Sequence, residues 1–244
     1  MVLSYPMDIE IIPYEEVNLN DPIGVIGFPS VGLTSSIMAN MYIKSLKMTP
    51  VAGMASPSMP PYCLISEYSA MPPVRFFAYK NKRKGGHDVL LCMTEYAPKP
   101  EDCYALTNRV LNYMRAKGCR IIVSMEGTPK FEGAKTLAIA AGPEGEKLMK
   151  KCKVEPMKEG MIRGLTGVMM YAAPNKGMSI ISIMVPASPG VPDPGSAALF
   201  IDPISKLIPG FKTSPKELMK EAAIIEEQIE AAQNNMNNTA QYIG

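Results

Sequence analysis

Apolar residues in this chain come in short blocks, and the spacing inside each block separates strands from helices. Residues 23–28 (IGVIGF) form an unbroken apolar run closed by Pro29, the pattern of a strand buried on both faces. The next segment carries Val31, Thr34, Met38 and Met41 on one stripe at helical spacing. Ser30 is placed to cap that helix, and Lys44 and Lys47 fall near its end. Residues 51–55, 63–66, 74–79 and 89–94 predict further strands. Pro57, Pro60 and Pro61 forbid regular structure between the first two of these. Between the last two, KNKRKGGHD predicts a hairpin turn in which Gly85 and Gly86 supply positive φ. Its basic residues read as a solvated face, with contact to a partner as the rival reading.

Residues 101–117 predict a long helix, stopped by Gly118, with Ala105, Val110 and Met114 turned inward. Residues 120–125 are rich in β-branched side chains and predict a central parallel strand. Residues 137–150 keep no clean period, because Gly142, Pro143 and Gly145 interrupt them. Residues 162–171 read as a loop or a helix start, and residues 179–185 as another buried strand. Strands alternating with helices predict an α/β fold with a mostly parallel mixed sheet. No repeat and no long linker divides the chain. It reads as one domain over residues 1–213, a helix over 214–233 and a tail over 234–244.

The helix over 214–233 is amphipathic. Ser214-Pro215-Lys216-Glu217 joins a capping box to proline at the first helical position. Leu218, Ala222, Ile225, Ile229, Ala232 and Met236 then recur in alternating steps of four and three. That seam suits pairing with another helix, but it lasts only about two and a half heptads, short of the roughly three to four that specify a coiled coil. Docking on its own domain and self-association both remain open.

Composition narrows the function. Hydrophobic residues make up 47% and charged residues 20%, as in an ordinary globular protein. No apolar run approaches the roughly 20 residues that cross a bilayer, and residues 1–16 are acidic where a secretory leader is basic. A cytoplasmic protein without a membrane partner is the expectation. Twenty-five Lys and Arg against 23 Asp and Glu leave a net charge of +2, too little for general nucleic-acid binding. One histidine, His87, excludes a site of several histidine ligands, so no metal and no cofactor is expected. The five cysteines form no close pair and read as reduced, buried thiols. Twenty methionines fit gap-filling in the core better than a Met-rich binding surface.

The glycine-rich stretch GVIGFPSVGL raises the question of a phosphate site. It lacks the Gly-Lys-Ser/Thr ending of a P-loop, and the spacing of Gly27 and Gly32 breaks the dinucleotide fingerprint. Gly27, Ser30 and Gly32 remain candidates for holding an anion at a helix N-terminus, beside the plainer reading of close helix packing. Glu95 and Glu126 each follow a predicted strand. In an open parallel sheet, groups past strand C-termini gather at one crevice, so this pair is the candidate acid and base if the protein is an enzyme. No Gly-x-Ser-x-Gly nucleophile accompanies them. Arg75 reads as the partner of a carboxylate, and Asp193 and Asp202, each before a proline, as turn residues.

Six blocks carry a resemblance: GVIGFPSVGL, SPSMPPY, MPPVRFF, LLCMTEYAPKPEDCYALTNRVLNYMRAKGCRIIVSMEG, GMIRGLTGVMM and PDPGSAALFIDPISKLI. In this order they resemble the proteasome assembly chaperone family, in its archaeal branch, from about Gly24 to the C-terminal helix. The resemblance implies a three-layer α/β/α sandwich of the phosphorylase/hydrolase-like type. It also implies a self-associating, non-enzymatic binding protein whose partners include proteasome core subunits. Some archaeal relatives end in a hydrophobic-Tyr-any tripeptide that docks between α-ring subunits. Here the last residues are AQYIG, so Tyr242 stands third from the end and Gln241 replaces the hydrophobic residue.

Two expectations of function follow. In the first, the protein is a chaperone or adaptor: Leu218, Ala222, Ile225 and Ile229 join its copies, and Tyr242 and Ile243 contact the partner. In the second, it is a nucleoside phosphorylase- or hydrolase-like enzyme, or a small-ligand binder, using the crevice around Ser30, Glu95 and Glu126.

Overall fold

Alternation along the central strands builds two cores at once. The computed structural model describes residues 8–66, 69–214, 216 and 218. In chain order its elements are β1 (Glu10–Pro13), β2 (Ile23–Gly27), α1 (Thr34–Ser45), β3 (Thr49–Ala55), β4 (Leu64–Ser66), β5 (Ser69–Met71), β6 (Val74–Tyr79) and β7 (Val89–Met93). Then come α2 (Pro100–Ala116), β8 (Ile121–Pro129), β9 (Leu137–Ala141), α3 (Gly145–Cys152), β10 (Glu155–Pro156), α4 (Gly164–Ala172), β11 (Ser179–Ala187), α5 (Pro194–Ala197) and α6 (Ile201–Leu207).

Among the described residues, nine strands form one mixed sheet in the order β1-β3-β6-β7-β2-β8-β11-β9-β10, and β4 and β5 form a separate hairpin. The centre, β7-β2-β8-β11, is parallel throughout. Antiparallel pairing carries the sheet outward through β6, β3 and β1 on one side and β9 on the other. Successive side chains of a strand point to opposite faces. Val25, Leu91, Val123 and Ile181 therefore face one way, onto Met38 of α1, Leu148 of α3 and Ile204 of α6. Ile26, Leu90, Ile122 and Ile180 face the other way, onto Leu106 and Val110 of α2 and Met169 of α4. Covered on both faces, β2, β7 and β11 are buried along their whole length, which is why β2 and β7 are continuous apolar runs and β11 is broken only by Ser179 and Ser182.

Gly27 sets how closely α1 approaches the sheet. A Cβ at this position would lie 2.3 Å from the Ala39 Cβ, and both residues are buried. Gly27→Ala therefore forces α1 away from β2, and urea denaturation should show a loss of about 2 kcal/mol.

Several expectations need correction. Ser30 does not cap the first helix. A single 3₁₀ turn, Val31–Leu33, intervenes, and the residue before α1 is Leu33 in a left-handed conformation (φ 51°). In the hairpin turn, Gly85 has positive φ (69°) but Gly86 does not. That turn is also less purely solvated than its charge implies. Asn81 Nδ2 donates to the carbonyls of His87 (3.0 Å) and Pro209 (2.9 Å), and the Asp88 carboxylate accepts from the backbone N–H of Asn81 and of Asn20, each at 2.8 Å. Residues 137–150 resolve into β9 and α3, separated at Gly142 (φ 93°), and residues 162–171 contain α4. Cys92, Cys103, Cys119 and Cys152 are buried, whereas Cys63 is exposed. Among the described residues, no helix is long and apolar enough to cross a membrane.

The chain beyond α6 packs back on the α1 face. Phe211 is fully buried, its ring 4.1 Å from that of Tyr42, and Leu218 is fully buried in the same cluster. Leu218, a candidate both for joining copies and for docking on the domain, packs into its own domain. Ala222, Ile225, Ile229, Tyr242 and Ile243 lie outside the described residues.

Candidate functional site

Because β2, β8 and β11 run parallel and in register, their carboxyl ends reach the same side of the molecule. Three loops leave there and are tied together. The Asp193 N–H donates to the Gly32 carbonyl at 2.8 Å, and the Lys130 N–H to the Ala187 carbonyl at 3.0 Å. Gly32 (φ 65°) fits under the loop after β11, where a Cβ would stand 3.0 Å from the Asp193 Cβ. Burial alone would raise the Asp193 carboxyl. Hydrogen bonds from the N–H groups of Ser188 and Ser196 and from the Ser196 hydroxyl, each at 2.9 Å, outweigh it and hold the group below its usual range. Asp193, expected as a turn residue, is the N-cap of α5 and the clasp of this region, and Asp202, read the same way, lies in the first turn of α6. Gly127 of β8 lies directly under the Ser30 turn, where a Cβ would come within 2.1 Å of the Val31 carbonyl oxygen.

A cavity of about 470 Å³ opens beside this junction, lined by Val31, Glu126, Thr128, Met157, Met161, Ile162, Arg163 and Met184. A second hollow of about 330 Å³ lies between Ser30, Gly32 and Leu33 and the loop Pro189, Gly190, Val191 and Pro192. Leu33, Met161 and Val191, which line these openings, are exposed, as is Phe131 just past β8. Large exposed apolar side chains gathered at one end of a molecule mark a surface for binding.

A polar strip runs under the cavity. Ser124 and Glu126 point to the same face of β8, with Ser182 and Met184 beside them on β11. Thr166 Oγ1 of α4 lies 3.1 Å from Ser124 Oγ, and the Thr166 hydroxyl also favours the ionised form of the Glu126 carboxyl. Burial pushes the Glu126 carboxyl up to about 7, against the opposing effect of Thr166. Ser182 Oγ, also buried, has no hydrogen-bond partner among the described residues.

The other candidates fall in different places. Gly27 is buried under α1 and lines neither opening. Ser30 lines the second hollow, with its hydroxyl bonded to Ser35 and 3.3 Å from that of Thr34. Glu95 does not join Glu126. It pairs with Arg75 of β6, three strands away in sheet order from β8. Burial raises the Glu95 carboxyl, while the Arg75 charge and hydrogen bond pull it back. Arg75 thus meets a carboxylate, as its sequence context implied. Glu126 does not follow β8 but lies within it, because the strand continues to Pro129. Sequence reasoning passed over Thr166, Arg163 and the methionines around Glu126. The GMIRGLTGVMM block holds Met161, Arg163 and Thr166 but neither Met157 nor Met184, and nothing local in it points to β8. Among the described residues, no three His, Cys, Asp or Glu side chains gather closely enough to hold a metal ion.

These features define an α/β protein whose nine-stranded mixed sheet ends in an apolar, carboxyl-floored crevice at the tips of its parallel strands. The chain belongs to the PAC2 family, whose model matches residues 24–233. It is similar to the uncharacterized protein MJ0106 of Methanocaldococcus jannaschii, 24% identical over 216 residues, covering 88% of this chain and 86% of that one. Its fold matches the crystal structure of Pyrococcus furiosus PbaA, described as an archaeal homolog of proteasome-assembly chaperone. The TM-score is 0.77 at 24% identity, over 95% of this chain and 99% of PbaA. It also matches Pyrococcus furiosus PbaB, described as an archaeal proteasome activator, with a TM-score of 0.76 at 22% identity over 94% of this chain and all (100%) of PbaB.

Proposed function

We propose that this protein is a cytoplasmic, non-enzymatic chaperone or adaptor that associates with itself and binds proteasome core subunits or related clients without a cofactor. The observation that carries the reading is family membership over residues 24–233, joined to a fold shared along nearly the full length of PbaA and PbaB. In finer terms the fold is a phosphorylase/hydrolase-like α/β/α sandwich over residues 1–213, followed by a helix over 214–233 and a tail over 234–244. Leu218 seats the start of that helix on its own domain, which leaves Ala222, Ile225 and Ile229 to meet another copy. Tyr242 and Ile243 contact the partner, and the exposed Leu33, Phe131, Met161 and Val191 give it a second surface. Several tails on one assembly gain avidity, because one bound tail raises the local concentration of the next toward the millimolar range.

Affinity purification of the tagged full-length chain from its native cells, with mass spectrometry of the eluate, tests partner choice. Proteasome core subunits are expected in it, and their absence after cross-linking contradicts the proposal. Light scattering of a double variant, Ile225→Asp with Ile229→Asp, tests self-association separately. A fall in mass to that of one chain is the expected outcome, and an unchanged oligomer removes the helix from the scheme.

One observation favours a second reading, a small-ligand site at the same end of the sheet. Glu126 lies on a cavity wall with its carboxyl held near neutrality, whereas Glu95 is engaged by Arg75. A phosphorylase- or hydrolase-like reaction there would rest on Glu126 without its expected companion.

A further inference from the structure

The cavity at Glu126 has one acid on its floor and little to answer it. A carboxylate offers about four acceptor sites. The polar side chain that acts on the Glu126 carboxyl is Thr166, whose hydroxyl meets that of Ser124 at 3.1 Å. The other ionisable residue on the lining is Arg163, on the approach to α4. Arg163 is exposed, and its Nε donates to the Met161 sulfur at 3.4 Å. The lining residues from β8, from β11 and from the turn at Val31 are otherwise uncharged, and Lys158 and Glu159 belong to the adjoining hollow. Burial dominates the proton affinity of Glu126, and among the described residues no cation contributes to it. Among the described residues the acid thus stands at an apolar cavity with no ion pair, a costly arrangement that an incoming positive charge would relieve.

The walls restrict what that charge can be carried on. Met157, Ile162 and Met184 line the space with flexible, polarizable or branched apolar groups suited to an aliphatic chain. A divalent metal ion needs several hard oxygen ligands, and one carboxylate among thioethers does not supply them. An anion would meet the Glu126 charge. A neutral apolar molecule would fill the walls and leave the carboxyl acceptors open. An ammonium group has three donors and no acceptor, the complement of an acceptor-only carboxylate.

We propose that this cavity binds an alkylammonium group, with the cationic nitrogen against the Glu126 carboxylate and its apolar stem along Met157, Ile162 and Met184. The group comes either from a free aliphatic amine or from a lysine side chain of another protein. The proposal stands independently of proteasome binding.

Calorimetric titration of the full-length chain with hexylamine, which stays protonated from pH 6 to 8, tests it. Glu126 must be ionised to bind, and its carboxyl changes state near pH 7. Affinity should therefore rise about tenfold from pH 6 to pH 8 and then level off, with protons released on binding at pH 7. Glu126→Gln should weaken binding at least tenfold and flatten the pH curve. Thr166→Val removes the hydroxyl that favours the ionised carboxyl, so the rise should move to higher pH while the plateau is kept. This shift decides the matter even if Glu126→Gln folds poorly. Affinity independent of pH, hexanol binding as tightly as hexylamine, or an unmoved curve in Thr166→Val would each overturn the proposal. A parallel titration with an Nα-acetyl-lysine amide separates the sources. Tighter binding of the lysine compound assigns the site to a partner's side chain, tighter binding of hexylamine assigns it to a small molecule, and binding of neither overturns the assignment.

Discussion

Phe211→Ala is expected to lower the unfolding free energy by about 4 kcal/mol, among the larger effects a single truncation produces. Phe211 is fully buried, stacked on Tyr42 with ring centroids 4.1 Å apart, and its ring lies 5.7 Å from that of Tyr79. Its position is fixed from outside the cluster. Gly210 precedes it with φ 98°, and the neighbouring Pro209 carbonyl accepts a hydrogen bond from Asn81 at 2.9 Å. With the backbone pinned, the cavity left by the ring cannot close by a simple shift of the chain. Equilibrium urea denaturation measures the change. A loss below about 1 kcal/mol would mean that the C-terminal segment does not contribute to the α1-side core.

The second large effect concerns pH. In the folded chain the Glu126 carboxyl is raised from 4.5 to about 7, chiefly by burial. A raised acid contributes its full share of stability below the unfolded value, where both states hold the proton. As pH climbs from about 4.5 to 7, the unfolded chain releases its proton while the folded chain keeps it, so stability drains away. Each pKa unit corresponds to about 1.4 kcal/mol, so the total loss above pH 7 is about 3 kcal/mol. Glu126→Gln removes the titration. Its stability should match the parent below pH 4.5 and exceed it by about 3 kcal/mol at pH 8, as denaturation at a series of pH values will measure. Parallel curves for the two proteins across that range would show that Glu126 ionises freely. A residue that weakens the fold at neutral pH and sits on a cavity wall has the character of a site for binding rather than for stability.

Local pattern carried most of the architecture. Continuous apolar runs such as IGVIG and VLLCM name strands covered on both faces, and the helix Pro100–Ala116 follows from period and its glycine stop. The edges were harder to read. β1 (EIIP) is short and mostly exposed, so it has neither the length nor the alternation that marks a strand in sequence. β9 and α3 blurred together because the glycine and proline between them read as interruptions of one element. The Ser30 cap failed because Gly32 and Leu33 take left-handed conformations that insert an extra turn before α1.

The sequence by itself determined the class of fold, the family and the placing of the glycine-rich turn. It did so because burial on both faces of a sheet and the stop signals of helices are written within a few neighbouring residues. The tertiary structure decided which candidates meet. Glu95 went to Arg75, Leu218 to its own core, and Glu126 to a cavity shared with residues from the Val31 turn and from the segment leading into α4. Those partners lie tens of residues apart along the chain, so only strand order and register could bring them together.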